Sequence, residues 1–161
     1  MKNPSAGRIY MKVSKIMTRS AGYCGPGDSL AAAVSIMWRY DCGFVPVVED
    51  EMVAGVITDR DIAIAAGGRH LPASQIRVSE VSTREAVTCL ASDEVEKALK
   101  KMKKHRIRRL AVVDRDGALE GVVSIADVLF ASRNKKKLRK KVLSTLRAVS
   151  EPQPIVLSEV G

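Results

Sequence analysis

The chain has little of what several functional classes require. Only 4% of its 161 residues are aromatic, 3 are cysteine and 2 are histidine. So few aromatics call for a core of Val, Ile, Leu, Ala and Met, drawn from a hydrophobic share of 46%. Cys24, Cys42 and Cys89 form no CxxC pair, and His70 and His105 are scattered, so no zinc spacing is present. An odd cysteine count and opening residues without a secretory apolar stretch point to a reducing cytoplasm. No run nears the roughly 18 apolar residues of a membrane helix. No nucleophile–base pair, metal set or Walker-type loop is visible, which argues for a binding protein and against an enzyme. The formal charge of +9 favours anionic partners (phosphates, nucleic acid, an anionic membrane surface) without choosing among them.

What is there is a repeat. At an offset of 65 residues, Val13–Thr18 matches Val78–Thr83, Cys24 falls on Cys89, Asp28 on Asp93 and Met37 on Met102. Phe44–Asp50 matches Arg109–Arg115, and after one inserted residue Gly55–Ala63 matches Gly121–Leu129. An ordered series of matches with a single shift indicates duplication. Each copy reads as a short strand near Cys24 or Cys89, then a helix with Leu30, Ala33, Val34 and Met37 or Val95, Ala98, Leu99 and Met102 on one face. Asp28 or Ser29 suits the first helix cap, and Ser92 or Asp93 the second. A β-hairpin follows, with polar turns at Glu49–Glu51 and Asp114–Gly117, and then a second helix. The expected fold is α+β: two β-α-β-β-α units packed with pseudo-two-fold symmetry, each covering the other's apolar surface, plus a C-terminal basic amphipathic helix. The expected divisions are an extension over 1–12, repeats over 13–70 and 71–132, and a basic helix and tail over 133–161.

Each copy carries one Gly-x-x-Thr/Ser-x-x-Asp run: Gly55 to Asp61 and Gly121 to Asp127. The Thr or Ser sits where a strand hands over to a helix, beside unpaired backbone N–H groups that attract phosphate. Asp61 and Asp127 lie one turn on, on the same side, where a carboxylate can accept from ribose hydroxyls. The same residues equally suit a helix cap and its dipole partner, and both readings stand open at this point.

Duplicated β-α-β-β-α units with this run in each copy resemble tandem cystathionine β-synthase (CBS) domains over about residues 13 to 131. The resemblance implies two clefts between copies, each drawing on both, and a ligand containing adenosine: AMP, ADP or ATP, with NAD and S-adenosylmethionine offering the same moiety. No cofactor is required. One cleft would join Thr58, Arg60 and Asp61 to Ser82, Val87, Ile107, Arg108 and Arg109. The other would join Ser124 and Asp127 to Met17, Gly22, Cys42, Gly43 and Phe44. On this assignment the first holds three arginines and prefers polyphosphate, and the second holds no cation. The resemblance also implies a homodimer and a regulatory role, sensing energy state or an adenosyl metabolite. Ala111 stands where the family often has proline, as the first copy does at Pro46.

Two segments are unusually basic, Lys100–Arg109 and Arg133–Lys141. Leu138, Val142, Leu146 and Val149 recur at helical spacing in the tail. That stripe is expected to pack on the module with its lysines solvated. The alternative function is a nucleic-acid-binding protein using this helix, although no aromatic interleaving or nucleic-acid motif accompanies it. Trp38 and Tyr40 are expected in the core, His70 and His105 at the surface, and Cys24 and Cys89 as small buried hydrophobes.

Overall fold

The computed structural model describes residues 11–152. Most of the 1–12 extension and the end of the tail, 153–161, lie outside them. In the first copy α1 (Leu30–Tyr40) starts at Ser29, whose hydroxyl accepts from the Ala32 amide at 3.2 Å. Leu30, Ala33 and Met37 bury its inner face. Strands β1 (Phe44–Glu49) and β2 (Met52–Thr58) pair antiparallel and lead straight into α2 (Asp59–Arg69). The second copy repeats the order with β3 (Thr88–Leu90), α3 (Val95–His105), β4 (Arg109–Val113), β5 (Leu119–Ser124) and α4 (Ile125–Ala131). There β3 runs parallel to β4, and β4 antiparallel to β5.

Two local expectations change. The strand expected at Cys24 shrinks to one bridging residue, its amide donating to the Pro46 carbonyl at 3.1 Å and its carbonyl accepting from Val48 at 2.8 Å. Gly25-Pro26-Gly27 follows at once, and glycine and proline do not extend a strand. The residue preceding α3 is Glu94, with no side-chain cap. Asp93 instead accepts from the Leu90 amide at 3.0 Å and from Lys97 at 2.7 Å.

The two copies exchange their leading segments. Val13 and Met17 are buried in the second copy's core with Cys89, Val95 and Leu110. Ile76 and Val78 are buried in the first copy's core with Leu30, Val45 and Ile57. The exchange is symmetric in its hydrogen bonds: Val13 donates to the Asp93 carbonyl at 2.9 Å and Val78 to the Asp28 carbonyl at 2.8 Å. Further on, Thr18 bridges Val122, and Thr83 bridges Val56. This crossing explains the motif glycines. A Cβ on Gly55 would collide with the Thr83 carbonyl, and one on Gly121 with the Thr18 carbonyl.

After α4 the chain forms α5 (Lys136–Ser150), which packs on α3 and α4 with Leu138, Val142 and Thr145 buried. Its apolar stripe therefore lies on the module, as expected. Trp38 departs from expectation: it is 89% exposed, because α1's outer face has no covering helix among the described residues.

Candidate functional site

Both motif runs form the same local structure. Ser124 caps α4, its hydroxyl oxygen accepting from the Asp127 amide at 3.2 Å. Asp127 Oδ2 returns the favour, accepting from the Ser124 amide and hydroxyl, each at 2.7 Å. Thr58 and Asp61 do the same at the start of α2, at 3.3, 3.0 and 2.6 Å. These are capping boxes, so the capping reading is realised in both copies. It also constrains any ligand chemistry. Each hydroxyl hydrogen is committed to the neighbouring carboxylate, so Ser124 and Thr58 can accept from a ligand but have no proton to give it. Only the second carboxylate oxygen of each Asp has no internal bond among the described residues.

The surroundings of the two boxes differ. Ser124 and Asp127 open onto a cleft of about 240 Å³ between the copies. The first copy contributes Thr18, Gly22, Tyr40, Cys42 and Phe44 to its walls, and the second copy Val122 and Arg109. Of the residues expected here, Gly22, Cys42, Phe44, Ser124 and Asp127 do meet. Met17 does not, being 8% exposed inside the second core. Gly43 lines a neighbouring groove of about 750 Å³ that shares Asp41, Cys42 and Arg109 with the cleft.

Arg109 is the main change from the sequence expectation. The resemblance groups it with Thr58 and Asp61 and leaves the Ser124 cleft without a cation, whereas Arg109 lines the Ser124 cleft. Arg109 opens β4, and the hairpin register pairs it directly with Ser124. A residue cross-strand from the cap sits beside its own copy's motif, so of the three expected arginines the one that lines a main cavity does so at Ser124/Asp127.

The other expected set shares no single main cavity, although Val56 and Thr83 exchange backbone hydrogen bonds between the Thr58 strand and the Ser82 segment at 3.1 and 2.9 Å. Asp61 lines a shallow groove with Arg69 and Glu80, whereas Ser82 lines a different one with Arg84 and Gly55. Thr58, Val87, Ile107 and Arg108 line none of the main cavities, and Arg60 and Arg108 face solvent. The two sides differ in side-chain volume: Val87 stands where the first copy has Gly22, and Ile107 where it has Cys42. Both pack against the second core. A Cβ on Gly22 would stand 2.5 Å from Ile36 and 2.7 Å from Tyr40.

Of the three thiols, Cys24 and Cys89 are pushed up to about 11, by burial first and then by Asp28 and Asp93 respectively, which keeps them protonated and inert. Cys42 is half-buried at the cleft wall, with Sγ 3.5 Å from the Phe44 carbonyl. Among the described residues no three His, Cys, Asp or Glu side chains are grouped to hold a metal, and no helix is long and apolar enough to cross a membrane.

Two β-α-β-β-α units that trade leading segments and leave a cleft between them define a paired-repeat module. The CBS domain family model matches residues 13–68 and 78–134, and the chain belongs to that family. It is 36% identical over 118 residues to the CBS domain-containing protein YhcV of Bacillus subtilis, spanning 72% of this chain and 81% of that one. It is 28% identical over 119 residues to inosine-5'-monophosphate dehydrogenase of Methanocaldococcus jannaschii, covering 73% of this chain but 23% of the enzyme. The likeness to the dehydrogenase lies in the CBS region. Among solved structures, Hypoxic Response Protein I with two coordinated zinc ions superposes with a TM-score of 0.65 at 26% identity, covering 75% of this chain and 98% of that one. The CBS domain pair of protein MJ0100, in complex with 5'-methylthioadenosine and S-adenosyl-L-methionine, gives 0.69 at 24%, covering 78% and 99%.

Proposed function

We propose that the chain is a regulatory, non-enzymatic module that binds one adenine nucleotide or adenosyl compound in the Ser124/Asp127 cleft. The observation that carries this reading is the cleft itself: a carboxylate with a free oxygen and an arginine cross-strand from its cap, both on the second copy, in a half-apolar slot whose other residues include Gly22, Cys42 and Phe44 of the first. Asp127 Oδ1 is free to accept from the ribose, and Arg109 is placed to meet phosphate or carboxylate. Val122, Phe44 and Ala21 offer an apolar wall for the base. One arginine with Asp41 beside it suits a ligand of low charge better than a polyphosphate. AMP, with one phosphate, therefore ranks ahead of ADP and ATP, and the adenosyl ligands held by MJ0100, alike in fold, are further candidates.

Because the cleft walls come from both copies, a ligand there favours one packing of the copies over others, which is what a sensor requires. A cytoplasmic homodimer completes the reading. The α1–α2 face, with Trp38 and Ile64 89% and 64% exposed, is the apolar surface through which a second copy would pair. Trp38→Lys should then shift the elution volume from dimer to monomer.

Calorimetry with AMP, ADP, ATP and S-adenosylmethionine tests the site. One site per chain is expected. Asp127→Ala should weaken it by about tenfold or more (~1.4 kcal/mol), and Asp61→Ala, which breaks an equal capping box, should leave it intact. Two equivalent sites, or no heat with any of the four ligands, would reject the reading.

A further inference from the structure

The charge of the molecule is unevenly placed. Residues 95–109 and 133–151 hold 16 of the 27 Lys and Arg but 2 of the 18 Asp and Glu, so the remainder of the chain is net negative, 11 cations against 16 anions. The two basic segments are far apart in sequence, and the fold lays them side by side. Lys141 pairs with Glu96, Lys103 donates to Ser144 at 2.9 Å and Arg106 to the Glu151 carbonyl at 2.6 Å. Those pairings advance together, so α3 and α5 run in the same sense along a shared seam.

At 3.6 residues per turn, burial of Leu138, Val142 and Thr145 turns Lys136, Lys140 and Arg147 outward on α5. Burial of Val95, Ala98, Leu99 and Met102 likewise turns Lys100 and Lys104 outward on α3. Among the described residues none of these five makes a salt bridge. The result is a row of cations that no salt bridge neutralises, spaced one turn (~5.4 Å) or two along each helix.

We infer that the α3–α5 face binds the phosphate backbone of duplex nucleic acid without reading base sequence. This is independent of the nucleotide cleft. A backbone presents closely spaced fixed charges, which a cation row matches and from which it releases counterions. An anionic membrane fits less well. The apolar stripe of α5 is sealed against α3, and among the described residues Leu143 is the single large apolar side chain exposed on either helix. One leucine gives little to insert. The exposed residues of both helices include no Phe, Tyr or Trp to stack on the bases of a single strand, which leaves the phosphates of a duplex as the contact, and these carry no sequence information.

Fluorescence anisotropy with a labelled 30-base-pair DNA duplex tests this on the full chain. With about five or six phosphates neutralised, affinity should fall on the order of 10³-fold between 50 and 200 mM salt. Reversing Lys104, Lys136 and Lys140 to Glu should cut binding at 50 mM salt at least tenfold and flatten the log–log salt slope by roughly three. The matched reversal of Arg39, Arg84 and Arg115, an equal charge change elsewhere, should change it less than threefold. Circular dichroism melting establishes that both variants are folded. Absence of duplex binding at 50 mM salt overturns the inference. So do equal losses in the two triple variants, or tighter binding to phosphatidylglycerol vesicles or polyglutamate than to duplex at equal anionic charge.

Discussion

The two copies share a chain trace and differ in what lies over it. Val34 and Leu99 occupy the same helical position, yet Val34 is 44% exposed and Leu99 2%. The difference is α5, which covers α3 and leaves α1 bare. The inner side differs as well: the second motif opens onto a cleft lined by Gly22 and Cys42 of the first copy, whereas the matching positions beside the first motif hold the bulkier Val87 and Ile107. Among the described residues, one copy is covered on its outer helix and opens onto a cleft at its motif, and the other is bare on its outer helix and carries bulkier side chains beside its motif. Nearly symmetric backbones thus carry unequal surfaces.

The largest expected effect breaks the outer comparison. Leu99→Ala should destabilise by about 3 kcal/mol, combining lost burial with the cavity it leaves beneath α5. Val34→Ala should cost about 0.5 kcal/mol at low protein concentration, as surface changes do. Urea melts of both variants check this. If the cost of Val34→Ala grows with protein concentration, a second copy covers that face.

Next comes the inner comparison. Gly22→Val gives the first copy the residue that stands at the same position in the second. Its side chain must displace Ile36 and Tyr40 or enter the cleft, and we expect ligand affinity to fall on the order of a hundredfold (~2.7 kcal/mol) by calorimetry. The reciprocal pair, Val87→Gly with Ile107→Cys, should open the Thr58/Asp61 side. A second binding event in that variant would show that side-chain volume alone separates the two sites.

Asp28 and Asp93 sharpen the comparison further. Both precede the first helix of their copies, and each accepts one backbone amide, from Gly25 at 2.7 Å and from Leu90 at 3.0 Å. Asp28 is exposed, and Asp93 is buried with Lys97 as partner. Burial alone would raise the Asp93 carboxyl, but the Lys97 and Leu90 hydrogen bonds outweigh it and hold it below the usual carboxylate value. A depressed folded value adds stability that is present above the ordinary Asp range, about 3.9, and is lost as pH falls through the folded value. Asp93→Ala should therefore cost about 2 kcal/mol at pH 7, mostly for the amide and ammonium left unpaired. It should also make melting temperature less sensitive to pH below about 4. Asp28→Ala should cost less than half as much.

Much of this was legible in the sequence, for identifiable reasons. Helices and hairpins were readable because Leu30, Ala33 and Met37, like Val95, Ala98 and Met102, follow the period that burial imposes. The exchange of leading segments was not, because Val13 and Ile76 are apolar whichever core receives them, and no local pattern names the recipient. The signal was indirect: Gly55 and Gly121 stand in strands, where glycine marks a close backbone approach. The grouping of Ser124, Asp127, Gly22, Cys42 and Phe44 follows from the family resemblance. The place of Arg109 depends on the hairpin register, which sets it across from Ser124. The difference in volume is legible in the repeat, since aligning the copies sets Val87 on Gly22. The pairing of α3 with α5 depends on tertiary packing that neither basic run reveals alone.

The smallest expected effect lies in the hairpin turns. In the first copy β1 and β2 are joined by Asp50 and Glu51, both left-handed, at φ of 48° and 67°. Two-residue turns of this hand match the twist of the strands and favour glycine at the second position, where Glu51 stands. A side chain held left-handed costs on the order of 1 kcal/mol. The second copy has a longer turn and puts Gly117 at its positive-φ position, φ 92°. Glu51→Gly should therefore stabilise the protein by about 0.5 kcal/mol, the relieved strain being partly offset by the greater freedom of glycine in the unfolded chain. Gly117→Ala should destabilise by about 1 kcal/mol, because it imposes on the second hairpin the strain the first already carries. Paired urea melts would read both, and equal signs for the two substitutions would mean that turn strain does not separate the hairpins.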